Sequence, residues 1–170
     1  VIVGKHDPAI EGGLSNFIKW KFIDFNFTMT YKLGGDSFDY ATWLHDNGGT
    51  YALYGAIPSY YKLEDMWQKP GDNAKLPKFQ TYSGVGHVSS RWLMPNDYLR
   101  LKNLTVGFSA PKEWLHNFGL SKARVYFSAN NLLTWKSKDL YVDPETPADG
   151  LCTFEMPALR TYTFGIELSF

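Results

Sequence analysis

The chain has 170 residues with 17 Lys and Arg against 17 Asp and Glu, a formal charge of zero that lacks the basic surplus or stripe of a nucleic-acid binder. Aromatic residues are abundant at 17%, charged residues slightly sparse at 20%. The mean hydropathy of −0.29, with no run of about eighteen apolar residues, excludes helical membrane spans, and the single Cys152 excludes an internal disulfide framework.

The first predicted strand covers about residues 12–20, where Leu14, Ile18 and Trp20 share a face on which Asn16 intrudes. Almost nothing is left for a turn before the second, at about 22–34. There Ile23, Phe25, Phe27, Met29 and Tyr31 alternate with Asp24, Asn26, Thr28, Thr30 and Lys32. Ten residues of strand rise about 33 Å, and a tilt near 40° leaves about 25 Å along a membrane normal, the height of the apolar band of a transmembrane barrel. Strands of soluble proteins more often stop at five or six residues.

A long connection spans about residues 35–97. The third strand, 98–109, begins with Leu99 and Leu101 on one face and then changes phase, so that Leu104, Val106 and Phe108 carry the apolar side. A bulge near Lys102 and Asn103 reconciles the halves. After a connection of about eleven residues, the fourth strand at 121–131 sets Ala123, Val125, Phe127 and Ala129 against Arg124, Tyr126, Ser128 and Asn130, a face too charged for a core. A second long connection, about 132–159, leads to the last strand at 160–170. Here Tyr162, Phe164, Ile166, Leu168 and Phe170 oppose Thr161, Thr163, Gly165, Glu167 and Ser169. Taken alone, this strand fits the core side of a soluble sandwich or the lipid side of a barrel. Its recurrence upstream, with short and long connections in alternation, favours the barrel.

Several segments also carry a family likeness. Asp97-Tyr-Leu-Arg-Leu-Lys-Asn-Leu-Thr-Val-Gly-Phe108, then Pro111, Ala123-Arg-Val-Tyr-Phe-Ser-Ala-Asn-Asn-Leu-Leu-Thr134, Asp143-Pro-Glu145 and Arg160-Thr-Tyr-Thr-Phe-Gly165 follow one another in order. Met66-Trp67, Pro70, Asn73-Ala74-Lys75 and Pro77, with Gly12-Gly13 and its hairpin, complete the pattern. Together they resemble the C-terminal end of the SusC/RagA family, TonB-dependent outer-membrane transporters of Bacteroidetes, over nearly the whole chain.

The resemblance implies an all-β fold, an antiparallel plugged transmembrane barrel of about 22 strands of which the last five lie here with long extracellular loops. It implies import of glycans, less often peptides, across the outer membrane. The expected partners are a substrate-binding surface lipoprotein of the SusD type, TonB through the N-terminal part, and the outer-membrane assembly machinery. Thr163, Gly165, Leu168 and Phe170 resemble the terminal signal which that machinery reads. No cofactor is implied. Five strands cannot close a barrel, and open edges in hydrocarbon leave backbone groups unsatisfied. With Val1 at the start and no signal peptide before it, the chain is expected to be a C-terminal fragment of a longer one.

The expected lumen-facing residues are Asp24, Asn26, Thr28, Thr30, Arg124, Tyr126, Ser128, Thr163 and Glu167. Candidates for contact with substrate or lid are Trp43, Tyr51, Tyr54, Tyr60, Tyr61 and Trp67, rings with polar tips that stack on sugars or bury against a partner. The same rings also serve to pack a large loop against itself. No catalytic constellation is expected. His6, His45, His87 and His116 lack metal-ligand spacing, Gly84-Val85-Gly86 opens no helix, and the sequons at Asn26 and Asn103 fall inside predicted strands. Asp36, Asp39, Asp46, Asp143, Glu145 and Asp149 read as a solvated acidic loop, without the spacing of a calcium hand. Two alternatives stay open: a secreted soluble β-sandwich whose aromatic loop binds carbohydrate, and a stand-alone small barrel, which an odd strand count disfavours.

Overall fold

A computed structural model describes residues 3–45, 59, 62–78, 88–116, 119–138, 140–145, 150–153 and 155–170. In chain order the elements are β1 (Ile10–Trp20), β2 (Ile23–Leu33), β3 (Asp36–Asp39), α1 (Tyr40–His45), β4 (Leu93–Pro95), β5 (Tyr98–Ser109), α2 (Lys112–Leu115), β6 (Lys122–Lys136), β7 (Leu151–Cys152) and β8 (Thr161–Ser169), with 3-10 turns at Leu63–Asp65 and Ser90–Trp92. Two compact units result. One comprises residues 7–35, 96–137 and 157–170, the other residues 1–6, 36–95 and 138–156.

The first unit is a five-stranded sheet in the order β1-β2-β5-β6-β8, antiparallel at every pairing. Its fold class is the expected one, and the sheet is not closed. Alternating apolar and polar residues favour such strands because successive side chains point to opposite faces. Only Lys21 and Phe22 separate β1 from β2, and Lys21 adopts φ 53°, the left-handed conformation a tight hairpin demands.

The phase change in β5 is a bulge at Lys102. Thr28 pairs with Asn103 while Met29 pairs with Leu101, so the register steps past Lys102. Toward β6, Asn130 pairs with Asn103 and Leu133 with Leu101, so Asn131 and Leu132 lie opposite it. Asn131 takes φ 51°. Two residues against one make a bulge with one extra residue on β6, whose own alternation from Asn130 to Leu133 is unbroken, and β6 runs on to Lys136, beyond the expected end at residue 131. Asp97 ties strand ends together: its carboxylate accepts from the Gly34 amide at 2.6 Å and its carbonyl from the Ser137 amide at 3.1 Å.

Within the second unit, β3 pairs antiparallel with β4 and parallel with β7. Buried Asp39 caps α1, its carboxylate accepting from the Thr42 amide at 2.9 Å and the Thr42 hydroxyl at 2.7 Å. Met66, Leu76, Trp92, Leu140 and Cys152 are buried here. Gly150 has φ 72° and lies against the His6 ring, so both its conformation and its lack of Cβ are used.

Candidate functional site

Register brings the polar positions of four strands into rows on one face. Asp24, Gly107, Tyr126 and Gly165 form one row; Asn26, Thr105, Ser128 and Thr163 the next; Thr28, Asn103, Asn130 and Thr161 a third. Thr30 follows beside Arg100, and Arg124 faces Glu167 at the turn end. All nine residues expected on the lumen side therefore share this face of the sheet.

Its turn end is charged. Arg124 lies diagonally from Asp24 across β5 and reaches over Gly107 to make a two-point pair, Nε to Oδ1 at 3.0 Å and Nη2 to Oδ2 at 2.6 Å. A Cβ on Gly107 would stand 2.5 Å from both Arg124 Nη2 and Asp24 Oδ1. The glycine leaves the gap through which two non-adjacent strands are joined. Arg124 Nη1 also donates to Glu167 at 2.9 Å, Lys122 donates to the same carboxylate at 3.0 Å, and the Arg124 guanidinium lies 5.2 Å from the Tyr126 ring centroid. The Tyr126 ring in turn covers Gly165, whose missing side chain makes room for it.

A neutral ladder continues the face. Thr105 and Ser128 share a hydroxyl contact at 3.0 Å, Asn103 donates to Asn130 at 2.8 Å, Asn130 to Thr161 at 2.9 Å, and Ser15 meets Thr28 at 3.0 Å. Such cross-strand pairs are the unit of sheet stabilisation. Asn103, Thr105, Gly107, Lys122 and Asn130 were not among the expected site residues. Their alternation with Leu104, Val106, Phe108, Val125 and Phe127 was the signal that places them.

The opposite face is apolar and open. Phe164 is 81% exposed and Ile166 71%, with Ile18, Ile23, Val125, Trp135 and Leu168 also exposed. Phe17 breaks the division: on the edge strand β1 it stands opposite Asn26, on the polar side, and is exposed. Among the terminal residues, Thr163 pairs with Ser128, Gly165 with Tyr126 and Leu168 with Ala123, while Phe170 follows the last strand.

Of the loop rings, Trp43 lies 5.0 Å from Tyr40 and 6.5 Å from Phe38, and Trp67 is half-buried with its amide bonded to the Leu76 carbonyl at 2.9 Å. Trp43 thus packs within the second unit, the loop unit, which holds the long connections. Tyr51, Tyr54, Tyr60 and Tyr61 lie outside the described residues, as do His87, Gly84-Val85-Gly86, Asp46 and Asp149. Several acids serve local structure: Asp36 accepts from the Lys5 amide at 3.1 Å and Asp143 from the Glu145 amide at 3.0 Å.

No family model matches the chain. Curated relatives in Formosa agariphila do: TonB-dependent receptor P3 is 28% identical over 99% of this chain and 17% of its own length, and TonB-dependent receptor P26 is 24% identical over 100% and 18%. Among solved structures, the RagAB peptide importer in its open-open state aligns with 99% of this chain and 18% of its own at TM-score 0.77 and 26% identity. Its closed-closed state gives TM-score 0.73 at 26% identity over 96% and 17%. The chain spans under a fifth of the length of the proteins it matches. These relatives are receptors and importers by name. From end to end, then, the chain is similar to a segment of the TonB-dependent receptors, which are outer-membrane β-barrel proteins, and to part of the solved RagAB peptide importer.

Proposed function

We propose that this chain is the C-terminal wall of a TonB-dependent transporter of the SusC/RagA type, importing oligomeric nutrients across the outer membrane. The observation that carries the reading is the two-faced sheet. Its polar face is hydrogen-bonded from strand to strand, while its apolar face carries exposed side chains on all five strands, which run 9 to 15 residues. A soluble sandwich would bury the face on which Phe164 and Ile166 lie open. A barrel wall presents that face to lipid and the other to a wet lumen. Asp24, Asn26, Thr28, Thr30, Arg124, Tyr126, Ser128, Thr163 and Glu167 then line the lumen. The two sheet edges join the remaining strands of the barrel, since lipid leaves no unpaired backbone.

The cargo in this reading is a peptide or a glycan. Likeness to the RagAB peptide importer supports the first, and the Trp- and Tyr-rich connection supports the second. A SusD-like surface lipoprotein is the proposed outer partner, and TonB engages a part of the protein outside this chain. The test is uptake of labelled oligopeptides and oligosaccharides by cells with and without the full-length gene, each with and without TonB. Uptake of one class is expected to need both. Uptake indifferent to the gene would contradict the proposal.

A further inference from the structure

We propose that the end of the polar face farthest from the β1–β2 turn, around Lys32, Tyr98 and Lys136, selects oligomers that carry repeated carboxylates. The inference rests on the import reading above and adds the chemical class of the cargo. On the paired strands the polar side carries six cations, Lys19, Lys32, Arg100, Lys122, Arg124 and Lys136, against three acids, Glu11, Asp24 and Glu167, even without Lys102 at the bulge. The whole chain has equal numbers of both signs. Positive charge is therefore concentrated on this one face.

The excess is not even along the face. At the turn end the acids are taken up: Asp24 accepts twice from Arg124, and Glu167 accepts from Arg124 and from Lys122. At the other end Lys32, Tyr98 and Lys136 stand on adjacent strands in one row, and Arg100 lies one row in, buried and permanently charged. Strand spacing sets the two lysines about 10 Å apart at the backbone. Lys32 is half-buried and Lys136 exposed. Among the described residues, the one acid of these two rows is Glu11, opposite Lys32 on the edge strand β1. Asp97 falls by alternation with Leu99 on the apolar side, its carboxylate on the Gly34 amide.

Charges set in a low-dielectric wall focus their field into the adjoining water and raise the local concentration of counter-ions there. A lysine ammonium is a point charge on a flexible stem, suited to drawing in carboxylates that must later move on. A phenol between two lysines adds a flat surface on which a sugar ring or a peptide unit can lie. An acidic oligosaccharide and an acidic peptide present the same chemistry to this row. A neutral oligomer would gain nothing from the two ammonium groups, whose strong hydration it would have to displace.

The test measures uptake, by cells with and without the full-length gene, of two matched pairs: an oligouronate against its amide, and a glutamate-rich peptide against its glutamine counterpart. The carboxylated member of one pair is expected to enter faster, on the order of tenfold, and that preference to shrink in added salt. Lys32→Gln combined with Lys136→Gln is expected to abolish the preference, and Lys32→Arg with Lys136→Arg to keep it, at equal barrel abundance by immunoblot. The pair that responds identifies the cargo as sugar or peptide. Gene-dependent uptake with no preference for either carboxylated member, or a preference that survives both glutamines, would overturn the charge selection and leave the transporter standing. Uptake indifferent to the gene would instead overturn the import reading itself. Each single glutamine variant is expected to lose part of the preference, which keeps the test decisive if the double variant does not assemble.

Discussion

Gly107 and Arg124 act together. With no side chain at 107, the Arg124 guanidinium crosses β5 to the Asp24 carboxylate, and the same guanidinium holds Glu167 on β8. Removing Arg124 takes two charge-assisted hydrogen bonds from Asp24 on a face proposed to be wet, a loss of about 2 kcal/mol. Arg124→Ala is therefore expected to destabilise the full-length protein by about that amount in chemical unfolding. Gly107→Ala forces the pair apart and is expected to cost on the order of 1 kcal/mol, but much less where Arg124 is already Ala. A double-mutant cycle measures this coupling, and equal costs in both backgrounds would mean that Gly107 serves only the backbone. Asp24 and Arg124 stood out in the sequence by alternation. Their partnership did not, because exactness of register across a hundred residues is decided by pairing and not by local pattern.

Among the elements, legibility followed length. In β2 and β8 the alternation runs without interruption, so both strands and their faces could be read directly. The Lys102 bulge was legible because it moves every later side chain to the other face. β1 read poorly since Asn16 and Phe17 sit on the faces opposite to their polarity. The end of β6 was hidden by Asn131 and Leu132, a bulge against one residue of β5. β3, β4 and β7 have 4, 3 and 2 residues and pair across long stretches of chain, so no periodic signal marks them. At the end of β8, Phe170 is the most exposed large apolar side chain among the described residues and follows the last paired residue. If it belongs to an assembly signal with Thr163, Gly165 and Leu168, deleting it is expected to lower the amount of full-length protein in the outer membrane while the material that inserts keeps normal heat resistance. Normal abundance of the deletion variant, measured by immunoblot of membrane fractions, would make Phe170 ordinary surface.

For the whole molecule, the two units carry different expectations. The loop unit adds little closure entropy because the strands already hold its ends, and connections of this length more often serve contact than stability. Trp43 packs on Phe38 and Tyr40, so Trp43→Ala is expected to weaken the loop unit. Replacing Tyr51, Tyr54, Tyr60 and Tyr61 together with Ala is expected to leave barrel abundance unchanged and to reduce substrate uptake or lipoprotein co-purification. Loss of the folded barrel in that variant would assign these rings to packing.

The sheet carries the central claim, that one face meets lipid and the other a wet lumen. The most direct measurement is the folding free energy of the full-length protein in phospholipid with Arg at Phe164 or Phe27, against Arg at their neighbours Thr163 and Asn26. Near the midplane a lipid-facing Arg costs about 2–4 kcal/mol, so Phe164→Arg and Phe27→Arg are expected to lose about that much and Thr163→Arg and Asn26→Arg far less. Equal losses at both sets of positions would contradict the two-faced wall.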